Sequence, residues 1–189
     1  MIDRPLLELL RTRREQDRVE RGRRRSAHGE MARAGKPFLG VASDVLDAGV
    51  DPTAAANAYV ASMDEWQDEV ERTFDAFLLD PGMGPMTYLA SDGRILRDNR
   101  GWDGDTIDEE ESEDSALEMI VIGARKTGVS ELLRLLPAPI PASRKCPGCR
   151  GARYREPSRE GLTWFVCSVC SGRGWATQAM IEAQALHLR

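Results

Sequence analysis

The chain has 189 residues, of which 41% are hydrophobic and 30% are charged. That length accommodates one ordinary domain and a small additional module, but not two full-sized domains. The 17 Gly and 10 Pro are near average usage, and no apolar run reaches the roughly 20 residues of a membrane helix, which excludes fibrous and helical transmembrane proteins. The amino-terminal segment lacks the charged start and cleavage site of a secretory signal, so we expect a cytoplasmic protein.

Charge is distributed unevenly along the chain, which the net charge of −5 hides. Residues 1–36 carry 11 basic and 6 acidic side chains, residues 37–120 carry 4 and 21, and residues 121–189 carry 11 and 4. The net charges of the three blocks are therefore +5, −17 and +7. Sign reversals of this size indicate separate segments.

Two helices are predicted in the first half of the chain. The first combines a leucine patch at residues 6–10 with an Arg-rich stretch whose charges are spaced for ion pairs within one helix. We interpret it as a solvated helix docked through its leucines, with an arm that grips RNA or an acidic partner as the alternative. The second begins at Asp51-Pro52, and its apolar residues recur at three- and four-residue steps as far as Leu78. Such a stripe is typical of a core helix, which Pro81 would end.

A β-hairpin and an acidic loop are predicted next. Two strand-like segments, 86–90 and 94–97, flank a Ser-Asp-Gly sequence that suits a tight turn. The acidic run 108–114 is too poor in apolar residues for a core element, so we expect a loop there. Asp103 and Asp105 belong to an acidic cluster without the spacing of an EF-hand, and we assign them to a partner-binding surface.

The apolar segment that follows ends in a proline-rich spacer. Its first half, around Met119–Ile122, fits either a buried strand or a helix from about Asp114 to Gly128, and we favour the helix. Its second half predicts a short helix capped by Ser130. Three prolines within five residues then form a stiff spacer and mark the clearest boundary in the chain.

All four cysteines lie in two CxxC pairs near the carboxyl end. Cys146 and Cys149 form the first pair and Cys167 and Cys170 the second, with 17 residues between the pairs. In a reducing compartment this spacing indicates a structural zinc site before a disulfide, with redox exchange at the CxxC pairs as the alternative. Two turns that each present two thiolates complete one tetrahedral site and leave no position for water. We therefore expect one structural Zn²⁺ per chain.

The cysteine segment resembles the CxxCxGxG repeats of the DnaJ-type cysteine-rich zinc domain. The second repeat, from Cys167 to Gly174, matches this motif fully, whereas the first has Arg153 in place of its second glycine. The resemblance covers about thirty residues, and the chain has no His-Pro-Asp signature of a J-domain. It implies a zinc hairpin that contacts polypeptides, and it does not imply the full co-chaperone.

Basic and aromatic side chains surround the cysteines and are candidate partner-binding residues. These candidates are Arg153, Tyr154, Arg155, Trp164, Arg173 and Trp175. Interleaved cations and rings also suit nucleic acid, because rings stack on bases and cations neutralise phosphates. Some of the arginines can instead offset the charge of −2 that four thiolates and one Zn²⁺ leave.

The hypotheses on function follow from these sites. His28 and His187 belong to no catalytic motif and the thiols are engaged by metal, so we expect a protein that is not an enzyme. We predict a non-catalytic protein-interaction module, adaptor or chaperone-like. One alternative is an immunity or antitoxin protein whose acidic surface blocks a basic toxin, since the order of helix, hairpin and acidic segment over 52–114 is similar to immunity domains of the SUKH superfamily. A second alternative is a nucleic-acid binder that uses the basic zinc module.

The predicted fold class is α+β. It has a mainly helical first part, a small β-hairpin sheet and a four-cysteine zinc hairpin or ribbon at the carboxyl end. The predicted divisions are a basic helical arm over 1–36, an acidic α+β core domain over 37–142, a zinc module over 143–176 and a C-terminal helix over 177–189.

Overall fold

The structure, a computed structural model, shows an α+β protein, as the sequence predicts. It describes residues 2–33, 52–80, 85–100, 104–156 and 164–187. The α-helices in these ranges are α1 (Arg4–Arg33), α2 (Pro52–Thr73), α3 (Glu113–Thr127) and α4 (Gln178–His187). The strands are β1 (Ala76–Asp80), β2 (Met86–Ala90), β3 (Ile95–Asp98), β4 (Ile107–Glu109), β5 (Arg144–Lys145), β6 (Tyr154–Arg155), β7 (Phe165–Val166) and β8 (Trp175–Ala176). No described helix combines the length and apolar character that crossing a membrane requires.

The chain forms two compact units. The helical unit comprises Leu7–Phe77, and the sheet–cysteine unit comprises Met1–Leu6 together with Leu78–Arg189. The borders predicted after residues 36, 142 and 176 stay a prediction, since compactness does not test which segments fold alone.

Within the helical unit, α1 and α2 are joined by a buried ion pair. Arg21 of α1 is only 2% exposed, and its Nη2 donates to Oε2 of Glu71 at 2.7 Å and to Oδ1 of Asp68 at 2.9 Å. Gln67 donates to the other oxygen of Glu71. A buried guanidinium is tolerated only where such partners replace water. The interpretation of the charged stretch of α1 as solvated is therefore wrong at Arg21, because the facing helix supplies two carboxylates.

The end of α2 differs from the prediction. The helix stops at Thr73, and the apolar residues expected on its last turn instead form β1. Asp75, between the two elements, has φ 45° and its carboxylate pairs with Arg11 and Arg14. Aspartate tolerates this left-handed conformation better than most residues, which turns the chain into an extended segment. The three- and four-residue spacing fails to predict β1 because this mostly buried strand is as apolar as the buried face of a helix.

A four-stranded sheet has the order β1-β2-β3-β4, and β2, β3 and β4 belong to the sheet–cysteine unit. β2 and β3 pair antiparallel, with Thr87 opposite Arg97, around a turn in which Gly93 has φ 101°. The predicted hairpin is therefore confirmed. β2 is buried along its whole length, and β4 pairs with β3 at the edge of the sheet.

The predicted acidic loop is wrong for most of its length. Asp108 and Glu109 lie in β4, and Glu113 and Asp114 form the first turn of α3. An edge strand can expose charged side chains to water while its backbone pairs on one side. Carboxylates in the first turn of a helix interact favourably with its unpaired N–H groups. Both positions explain why a segment without apolar residues has regular structure.

α3 confirms the choice of helix over strand. Ser112 caps its start by accepting from the N–H of Ser115, and Gly128, with φ 74°, ends it. α3 lies close to the sheet at Gly123, where an added Cβ would stand 2.6 Å from Leu79. The second half of the segment is a 3₁₀ helix, Ser130–Leu135, and the predicted cap is wrong because Val129 precedes it and makes no side-chain cap.

Candidate metal centre

The four cysteines converge at one buried point. All four are free thiols, buried, and their Sγ atoms lie within 4.8 Å of one another. The Sγ atoms of Cys146 and Cys167 are 3.8 Å apart, as are those of Cys149 and Cys170. Four sulfurs at about 2.3 Å from a tetrahedral ion lie about 3.8 Å from one another, whereas a disulfide needs about 2.05 Å. The spacing therefore fits a site in which the four cysteines could hold one metal ion.

Each CxxC pair sits on the same backbone turn. In the first repeat, Arg150, Gly151 and Arg153 have φ of 53°, 89° and 73°. In the second repeat the positions 21 residues later take the same conformation, with φ of 44°, 79° and 81° at Ser171, Gly172 and Gly174. Arg153 thus adopts the left-handed conformation of the glycine that it replaces.

The two repeats are related by an approximate two-fold axis. The N–H of Cys146 donates to the carbonyl of Gly174, and the N–H of Cys167 donates to the carbonyl of Arg153. The short strands obey the same relation, since β5 pairs with β8 and β6 pairs with β7. Each repeat therefore closes the backbone turn of the other, and the four thiols meet near the axis.

The thiols of this cluster differ in acidity. Burial raises the pKa of Cys170, and neighbouring cysteines add to the rise, although the N–H of Gly174 opposes it. Burial also raises the pKa of Cys167. At Cys149 burial acts in the same direction, but the N–H groups of Arg153 and Gly151 reverse it and lower the pKa. Buried thiolates so close together ionise only when a cation offsets their charge, so this donor set fits a divalent soft metal ion.

The second repeat packs on α3, which positions the metal centre on the sheet–cysteine unit. An added Cβ on Gly172 would stand 2.6 Å from Val121. Arg173 pairs with Asp114 at 2.6 Å and with Glu113 at 3.0 Å. The indole N–H of Trp175 donates to the carbonyl of Pro137 at 3.0 Å. Two candidate partner-binding residues, Arg173 and Trp175, are thus engaged within the molecule.

Two other candidate partner-binding residues, Tyr154 and Trp164, lie against the cation of Arg125, which the sequence did not indicate. The rings of Tyr154 and Trp164 are 6.3 Å apart in an edge-to-face arrangement. The guanidinium carbon of Arg125, on α3, lies 4.1 Å from the centre of the first ring and 4.7 Å from the second. Glu156 pairs with the same guanidinium at 3.5 Å. Nothing in the sequence connects these residues, because the pairing depends on how α3 docks.

The remaining candidates lie apart from this group. Arg153 and Arg155 are partly buried, and the Nε of each has no hydrogen-bond partner among the described residues. Asp105 is exposed beside the sheet, while Asp103 lies outside the described residues. A partner-binding role for these residues stays a prediction.

Comparison of the chain with protein-family models, with curated proteins and with solved structures finds no match. The resemblance to the DnaJ-type zinc domain thus rests on the two cysteine repeats alone.

Proposed function

We propose that the chain is a non-catalytic protein-interaction module, adaptor or chaperone-like, organised by one structural Zn²⁺. The observation that carries this proposal is the Sγ spacing of 3.8 Å in two pairs of buried cysteines. Zn²⁺ suits four thiolates because it is borderline soft and accepts tetrahedral geometry without strain. With four protein ligands it has no open position for water or substrate, which favours a folding role.

Strand edges and an exposed side chain near the metal centre support a polypeptide partner. β5 pairs only with β8 and β6 only with β7 among the described residues, so no described strand pairs with their outer edges. Both residues of β5 are exposed, whereas those of β8 are buried. Phe165 on β7 is 48% exposed. Unpaired strand edges accept an extended peptide through main-chain hydrogen bonds, and a neighbouring apolar side chain adds contact area.

Zinc binding and interaction are tested together on the full chain. A native mass spectrum should show one zinc, and the zinc-loaded chain should lower the light scattering of reduced, aggregating insulin. Cys167→Ser should lose both properties, because three thiolates hold the ion poorly. Ser168→Ala is the matched control, since Ser168 is exposed in the same turn and supplies no ligand. A metal-free wild-type chain, or equal scattering with and without the protein, would contradict the proposal.

An immunity or antitoxin role is the second candidate, and the edge of the sheet supports it. Asp108, Glu109 and Glu111 are exposed at or beside β4. Such carboxylates attract a basic partner and raise its association rate at low salt. The expected outcome is recovery of a basic toxin in a pulldown, and loss of recovery when the three carboxylates become amides. A coding locus without a toxin would contradict this candidate.

A further inference from the structure

The approximate two-fold axis gives the two repeats different surroundings. The face of the second repeat is covered by α3 through Gly172 and Val121. At the equivalent Gly151 an added Cβ would find nothing nearer than 3.8 Å, and its neighbours belong to the cysteine segment itself. The first repeat thus borders an open groove beside β5 and β8, with a volume of about 370 Å³.

Cations dominate this groove. Arg144, Lys145, Arg153 and Arg173 line it, and no carboxylate does among the described residues. Arg173 is neutralised by Glu113 and Asp114. The other three have no ion pair among the described residues, and Arg144 bonds only to the neutral amide of Gln178. The groove therefore has uncompensated positive charge in a confined space, which favours an anionic ligand.

Arg153 carries the strongest evidence for a ligand. Its backbone has φ 73°, where the equivalent residue of the second repeat is Gly174. Its side chain crosses Gly174, its Nε is buried, and that donor has no hydrogen-bond partner among the described residues. Strained backbone is unfavourable, and such features cluster at binding sites. The buried Nε is closed to a ligand, and Arg155 has a similar unpaired Nε outside the groove. The cation of Arg153 therefore acts on a ligand through the part of its side chain that lines the groove.

Trp175, the aromatic residue that lines the groove, bears on which class of anionic ligand the groove fits. Trp175 is only 8% exposed and its indole N–H is engaged, so its ring offers no face for a nucleic-acid base. Carboxylates of a peptide need no stacking face and suit the bidentate geometry of a guanidinium.

We propose that this groove binds an acidic segment of a partner polypeptide, with Arg153 and Lys145 as its principal cations. The proposal rests on the proposed interaction function and specifies the chemistry of its partner.

The test replaces residues of the first repeat by the residues at the equivalent positions of the second repeat. A fluorescein-labelled Glu-rich decapeptide is titrated with the zinc-loaded full chain, and anisotropy reports binding. Arg153→Gly should weaken binding about fivefold while relieving backbone strain, and Lys145→Val about threefold. Arg150→Ser is the matched control, because Ser171 takes the same conformation at the equivalent position and Arg150 does not line the groove. It should change binding less than about twofold.

Each other outcome overturns the proposal in a different way. If an oligonucleotide of equal charge binds more tightly and responds to the same variants, the ligand is nucleic acid. If Arg153→Gly keeps its zinc and binds the peptide as the wild type does, or if the wild type ignores the peptide, the groove is not the site. A wild-type chain without zinc would instead contradict the proposed function, so native mass spectra of all samples separate the two failures.

Discussion

The two cysteine repeats have one backbone conformation and two environments. Residues 144–155 and 165–176 place their strands, left-handed residues and thiols at equivalent positions. The second repeat is buried against α3 and Pro137, whereas the first borders a basic groove. The backbone turn of each CxxC pair therefore depends on residues that the repeats share, and the environment depends on those that differ.

The differences fall where each repeat meets its surroundings. Ala152 stands where the second repeat has Arg173, which pairs with the first turn of α3. Arg153 stands where it has Gly174, and its cation reaches the groove. The second repeat thus packs against α3, and the first contributes cations to the groove for which we propose a ligand.

Loss of one cysteine thiolate should have the largest effect on stability, and the effect should be the same in either repeat. Cys146→Ser and Cys167→Ser each remove one of the two thiolates that a repeat would give the proposed ion, which needs both repeats. Structural zinc contributes roughly 10–16 kcal/mol of apparent binding free energy, so either variant should lose zinc and unfold residues 143–176. Native mass spectrometry and amide hydrogen exchange measure these outcomes.

The helical unit provides the control for this experiment. The buried ion pair of Arg21 with Glu71 joins two residues of this unit. Circular dichroism of the cysteine variants should therefore retain the signal of α1 and α2. Collapse of the whole chain would show that the cysteine segment and the helical unit do not fold separately.

Alanine at Gly151 or at Gly172 should have an intermediate effect on the free energy of unfolding, and the two effects compare the surroundings of the two repeats. Gly151 and Gly172 both have positive φ, so alanine strains the backbone at either site by about 1 kcal/mol. Only Gly172→Ala also forces Val121 to move, which adds roughly 1–3 kcal/mol. Urea unfolding of the zinc-loaded chains should show the larger loss for Gly172→Ala. Adding Val121→Ala should recover part of that extra loss, and equal losses at both glycines would contradict the docking of the second repeat on α3.

The smallest expected effect on stability concerns the carboxyl of Glu118 on α3, the helix against which the second repeat packs. Burial raises the pKa of Glu118, and the nearby Asp114 raises it further. The folded state therefore binds this proton more tightly than the unfolded chain, and stability falls as pH rises from the ordinary Glu pKa of about 4.3 through the raised value. Glu118→Gln should increase the urea midpoint at neutral pH and leave it unchanged below about pH 4. A constant difference across this range would rule out titration of Glu118 as its cause.

Local patterns predicted the elements whose signals are short in range. The turn at Gly93 and the helix ending at Gly128 follow from residues that favour positive φ, and the four cysteines follow from their spacing. These features depend on a few neighbouring residues, so no distant part of the chain has to be known.

Predictions failed where contact with a facing strand or helix determines the local structure or the burial of a residue. β1 looks like the last turn of α2 because both are apolar, and the pairing with β2 distinguishes them. Asp108 looks like loop, yet it lies in β4 because β3 offers a free edge. Arg21 looks solvated, yet it is buried because α2 brings Asp68 and Glu71 to it.

The sequence by itself determined the α+β class and the four cysteines that are positioned to hold a metal ion, because helix caps, turns and CxxC spacing are encoded locally. Only the tertiary structure decided which repeat is covered and which arginines have no ion pair among the described residues. Arg173 and Arg153 are both cations beside a CxxC pair, and the position of α3 neutralises the first and leaves the second facing the groove. Burial and charge compensation are properties of packed surfaces, which no local pattern contains.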